Sequence, residues 1–182
     1  TKLSYISLIS TMTSFVEKLD AEALAYFNEI TSRSFADQAI AFLNAYWPEV
    51  GDQAEFIFTV SWEVLKYADM HAKGISLIYQ YEEGNDLDFD IGLYFYEQLV
   101  RFVEDPKNAQ WTADQWTHSQ PTMMTASKRK QVLREKVDVN FDGRISMLEY
   151  LLHQYMHLGV NPAYFCVRSI GGGEAHPEIR KA

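Results

Sequence analysis

Apolar side chains recur along this chain at intervals of three and four, the spacing that lines one face of an α-helix. Leu8, Met12, Phe15 and Leu19 mark a first segment over 3–18. Leu24, Phe27 and Ile30 mark a second over 21–30, which Asp20 can cap. Ser34, with Asp37 three residues on, has the form of a capping pair for a third helix through Ala45, and Pro48 is expected to end it. Phe56, Val60, Val64, Tyr67 and Ala68 predict a long helical region over 55–81 that Gly74 can divide. Its aromatic stripe of Phe56, Phe58, Trp62 and Tyr67 reads as core. Further helices are expected over 91–103, 122–137 and 146–158, with a short one around Phe165 and Cys166. Residues 104–121 hold two prolines, Trp111, Trp116 and several Asn, Gln and Thr, the composition of a long, partly ordered connection.

The most informative stretch is Asp138 to Glu149, Asp-Val-Asn-Phe-Asp-Gly-Arg-Ile-Ser-Met-Leu-Glu. A calcium ion needs six to eight oxygens, and a twelve-residue loop can supply them only with particular residues at particular positions. Asp138, Asn140 and Asp142 bring side-chain oxygens to positions 1, 3 and 5, and Gly143 fills position 6, where the backbone turns left-handed. Arg144 offers its carbonyl at position 7, Ser146 can hold a bridging water at position 9, and Glu149 supplies a two-oxygen carboxylate at position 12. Ser146 and Glu149 also form a capping box for the helix that follows. Every demanding position is filled, as in an EF-hand, and Ca2+ is the expected cofactor. A plain acidic turn before a helix would not need this spacing.

A second acidic stretch invites the same frame. Asp86, Asp88, Asp90 and Glu97 stand at positions 1, 3, 5 and 12 of a window over 86–97. The glycine has slipped, with Ile91 at position 6 and Gly92 after it, and a β-branched residue resists a positive φ. EF-hands pair through their position-8 residues, so Leu93 is expected to face Ile145. The window reads as a degenerate partner hand that binds calcium weakly or not at all, or as an acidic turn that caps the next helix. The fold class expected is all-α, with N-terminal helices (1–50) packed with an EF-hand pair (51–170) and a flexible Gly-rich tail (171–182).

Composition narrows the rest. A chain of 182 residues, 47% hydrophobic, can bury a real core. Its net charge of −9 argues against nucleic acid as a partner. No run approaches a membrane span, and residues 3–16, rich in Ser and Thr behind Lys2 alone, do not read as a signal peptide. One cysteine, Cys166, points to a reducing compartment. Against the acidic total, the helix entering the calcium loop carries Lys128, Arg129, Lys130, Arg134 and Lys136 with only Glu135 opposed. Such a run is either a solvated face or a contact for an acidic partner. His153 and His157, four apart, could share one ligand, but no third ligand stands at a matching spacing, so they read as surface or satisfied histidines. No phosphate loop, His-Glu-x-x-His, nucleophile elbow or paired-cysteine site occurs, so the chain does not read as an enzyme.

Phe42-Leu-Asn-Ala-Tyr-Trp47, Lys66-Tyr-Ala-Asp-Met-His-Ala-Lys-Gly74, Glu82-Glu-Gly-Asn-Asp-Leu-Asp-Phe-Asp90 and the stretch from Val137 to Tyr155 together resemble the calcium-regulated actin-bundling proteins of amoeboid cells. The resemblance runs from about Phe15 to Arg168. It implies a cytoplasmic protein of the actin cytoskeleton, at the cell cortex and its protrusions, that cross-links filamentous actin less when calcium binds. Calcium ligands then fall on Asp138, Asn140, Asp142, Arg144 and Glu149, and the family's second hand falls on 86–97. Lys128, Arg129 and Lys130 are the candidate filament contacts. The resemblance also implies a longer protein, with a charged helical region after the Gly-rich hinge, so that these 182 residues are expected to be a truncated piece or only its ordered part. The other reading is an EF-hand sensor or buffer that regulates a target other than actin.

Overall fold

The computed structural model describes residues 20–169, so the helix expected over 3–18 and the tail from 171 lie outside the described residues. Eight α-helices and one small sheet follow in order. They are α1 (Ala21–Thr31), α2 (Phe35–Val50), α3 (Ala54–Phe56), α4 (Trp62–Ala72), β1 (Asp86–Asp88), α5 (Phe89–Glu104), α6 (Ala126–Val132), β2 (Arg144–Ser146), α7 (Met147–Gln154) and α8 (Pro162–Ser169). The molecule is therefore mainly helical, and the two short strands are the departure from an all-helical chain.

Helix starts follow the sequence closely. Asp20 Oδ1 accepts the Ala23 N–H at 2.7 Å, and Ser34 Oγ accepts that of Asp37 at 3.2 Å. Stops follow it less well. Pro48 does not end α2, which runs on to Val50 through a kink at Tyr46 (φ −123°, ψ 25°). A proline removes one ladder bond and crowds the preceding turn, and α2 absorbs this by bending. Residues 54–72 form one rod, with α3 and α4 joined by a π-helical turn over Ile57–Ser61. The rod stops at Gly74 (φ +67°) in a Schellman motif, with Ile75 N–H on Met70 O at 3.0 Å and Gly74 N–H on His71 O at 3.2 Å. The helix expected through 81 therefore ends at Ala72, leaving only a 3₁₀ turn at Ile78–Gln80 beyond it.

Residues 104–121, expected to be partly ordered, hold the last residue of α5 and then two 3₁₀ segments (Pro106–Thr112 and Asp114–Ser119) strapped onto the core. Trp111 and Trp116 are buried 5.4 Å apart, with Phe56 at 5.9 and 6.0 Å from their respective rings. Each buried indole contributes on the order of 2–3 kcal/mol, enough to order a loop that lacks α-helix. Buried Gln53 donates to Gln115 O at 2.8 Å and accepts from Ser119 Oγ at 2.7 Å, which pins the strap's second half.

One hydrophobic cluster runs from Phe27 in α1 to Phe165 and Cys166 in α8, and α2 packs against both α7 and α8. Packing is thus continuous across residue 50. The antiparallel pair β1–β2 joins two loops back to back with Leu87 opposite Ile145, and both side chains are buried.

Candidate calcium loop

The loop over 138–149 is built between two fixed ends. α6 continues through a π-helical turn, Leu133–Val137, which delivers Asp138, while β2 and α7 carry the second half. Inside the loop the side-chain oxygens accept backbone N–H groups. Asp138 takes Asp142 N–H on Oδ1 at 3.2 Å and Gly143 N–H on Oδ2 at 2.9 Å, and Asp142 Oδ1 takes Arg144 N–H at 2.9 Å. Two left-handed residues make this curl, Gly143 (φ +75°) and Phe141 (φ +56°). Open space surrounds the position of a Gly143 Cβ, so its φ, not crowding, calls for glycine.

Glu149 closes the loop on itself. Oε1 accepts the Val139 N–H and Oε2 the Ser146 N–H and Oγ–H, all at 2.9 Å, while Ser146 Oγ accepts the Glu149 N–H at 3.2 Å. The expected capping box is present, and it ties position 2 of the loop to positions 9 and 12. Glu149 is 1% exposed, and burial pushes its carboxyl up to about 8 although the bonds from Ser146 and Val139 pull the other way. Burial also raises Asp138. Both groups are therefore carboxylates that a cation would relieve. The donors are oxygens throughout, a set that suits a hard divalent ion. Among the described residues no three His, Cys, Asp or Glu side chains stand gathered as a ready-made metal cluster.

The second acidic stretch takes a different register from the one expected. Leu87, not Leu93, lies opposite Ile145, and Leu93 sits within α5. Its four acids go separate ways. Asp86 binds the Arg144 guanidinium at 2.6 Å, Asp88 caps α5 by accepting Ile91 N–H at 2.9 Å, exposed Asp90 lies 3.4 Å from Lys130, and exposed Glu97 pairs with Arg101 at 2.7 Å. A twelve-residue frame counted with Leu87 at position 8 spans 80–91 and ends on Ile91, where the first loop has Glu149. The turn between α1 and α2 closes this loop. Glu83 accepts Ala36 N–H at 2.6 Å, Gly84 O accepts Phe35 N–H at 3.2 Å, and Asn85 donates to Thr31 O at 3.1 Å.

The basic cluster is divided by the fold. Lys128 and Lys130 are exposed, but Arg129, expected beside them as a filament contact, is 6% exposed. Its guanidinium lies 4.1 Å from the Tyr96 ring centre and donates to Thr122 O. The helical spacing turns position 129 inward, where its long stem and flat head pack on aromatic rings. His157 meets His118, not His153, with ring nitrogens 2.8 Å apart. Sequence reasoning missed the N-terminal contacts altogether. Gln38, fully buried, donates to Thr31 O, Arg33 O and Asn85 O, and accepts Leu148 N–H at 3.0 Å, one residue before Glu149. Asn140 Nδ2 donates to Asn28 Oδ1 at 3.0 Å. No local motif signals such partners, since they lie 110 and 112 residues apart.

No family model matches the chain. It is 62% identical over 169 residues to the calcium-regulated actin-bundling protein of Dictyostelium discoideum, covering 93% of this chain and 56% of that protein. The crystal structure of the 34 kDa F-actin bundling protein from Dictyostelium discoideum superimposes with a TM-score of 0.83 at 62% identity, over 90% of this chain and 62% of the other. The chain thus spans little more than half the length of the curated relative it matches, and the resemblance expected from the sequence is borne out at high identity over nearly all of its own.

Proposed function

We propose that this chain is the calcium-binding part of a non-enzymatic protein that cross-links filamentous actin, with bundling reduced when calcium is bound. The observation that carries the reading is the identity of 62% with a protein named for calcium-regulated actin bundling, over a span that includes the complete twelve-residue loop. In this reading the two loops form an EF-hand pair joined through Leu87 and Ile145. Asp138, Asn140, Asp142, the Arg144 carbonyl, Ser146 and Glu149 would hold the ion, which supplies the positive charge that the buried carboxylates lack. The window over 86–97 serves as a structural partner without calcium, because its acids are committed to Arg144, the α5 cap, Lys130 and Arg101.

Glu149 stands in the first turn of α7 and also grips Val139, so any change in what it holds reaches both sides of the loop. Lys128 and Lys130 lie on the helix that enters that loop, exposed and positively charged, and are the filament contacts we retain from the basic run. The location that follows is the cytoplasmic actin cytoskeleton, at the cell cortex and its protrusions. Low-speed co-sedimentation of the full-length protein with filamentous actin, with and without calcium, tests the reading. Bundles should pellet without calcium and diminish with it. Calcium uptake with no actin in the pellet under either condition would replace this reading with a sensor or buffer for another target.

A further inference from the structure

The third position of the loop is an amide, and the two ends of an amide have opposite chemistry. Asn140 Oδ1 can face a cation; Nδ2, a double donor, cannot. An aspartate would present oxygen either way, so asparagine needs a device that settles its orientation. In the structure Oδ1 points into the loop and accepts Asp142 N–H at 3.3 Å, while Nδ2 donates outward to Asn28 Oδ1 at 3.0 Å. Asn28 stands on α1, between Phe27 and Ile30, which are both buried, so its backbone is held by the core and not by the loop it serves. Turning the Asn140 amide over would set donor against donor at Asp142, and it would keep a bond to Asn28 only if the Asn28 amide turned over with it.

We propose that Asn28 is a positioning residue for the calcium site, taking the Nδ2 end of Asn140 so that Oδ1 stays aimed at the loop interior. The inference rests on the calcium reading above. It makes the N-terminal helix part of the metal site without contributing a ligand, and it couples calcium affinity to the docking of α1.

Calcium titration by calorimetry, with Asn28 variants in the native and Asn140→Asp backgrounds, tests the proposal. Asn28→Ala should weaken calcium binding by roughly three- to tenfold at an unchanged stoichiometry, the scale of one partly exposed hydrogen bond. Asn28→Asp keeps the acceptor and should restore wild-type affinity or better. In the Asn140→Asp background, where orientation no longer matters, Asn28→Ala should change the affinity by less than about twofold. Thermal unfolding in chelator should be the same for wild type and Asn28→Ala, because Phe27 and Ile30 carry the packing of α1. A wild-type affinity for Asn28→Ala, or an equal loss in both backgrounds, overturns the inference alone. A wild-type protein that takes up no calcium overturns the reading beneath it as well.

Discussion

Glu149 concentrates the chemistry of this chain in one carboxyl group. Burial raises its carboxyl to about 8, which favours the protonated form near neutral pH, although the bonds from Ser146 and Val139 pull the other way. In the proposed function calcium and a proton would compete for the same oxygens, so uptake would release the proton. Affinity should therefore climb as pH rises from 6 toward 8, by as much as about tenfold per unit at the acid end, and level off above 8. Calorimetry in buffers of differing ionisation enthalpy would show the released proton directly; an affinity and enthalpy indifferent to pH and buffer would show that Glu149 is already ionised. The residue scale is also where the sequence spoke most plainly. Gly143, Ser146 and Glu149 could be read because each need is met within the loop. Asn28 and Gln38 could not be read, because their partners in the calcium loop lie on the far side of the chain and their own neighbours give no signal.

Among the elements, capping was legible and termination was not. Asp20, Ser34 and Ser146 cap helices as their spacing implies, since a cap is a contact between residues two or three apart. Pro48 kinks α2 instead of stopping it, with α2 packed against both α7 and α8. The connection over 105–121 lacks any periodic signal, yet Trp111 and Trp116 order it through contacts with Phe56. The helix entering the loop offers the sharpest test at this scale, since one basic run divides into buried and exposed members. Arg129→Ala should cost about 2–3 kcal/mol by removing the guanidinium from Tyr96 and Thr122, and it should lower the melting temperature by several degrees. Lys128→Ala with Lys130→Ala should leave melting unchanged within about 0.5 kcal/mol and weaken filament binding, with a flatter salt dependence. Equal melting for both sets of variants would return Arg129 to the surface.

At the scale of the whole molecule, the two loops are not equivalents. A window of acids over 86–97 looked like a second hand because composition can be counted in any register. Strand pairing chooses only one, and Leu87 against Ile145 fixes the frame that ends on Ile91. What a cation would do for one loop in the proposed function, the turn between α1 and α2 does for the other through Phe35, Ala36, Gln38 and Thr31. The central claim is thus one calcium per chain, held at 138–149. A calorimetric calcium titration of wild type beside Glu149→Gln decides it. The account predicts a single site with a Kd of roughly 10⁻⁷ to 10⁻⁵ M in wild type and a loss of at least about a hundredfold in the variant. Two sites of similar strength, or an affinity that Glu149→Gln leaves untouched, would contradict it.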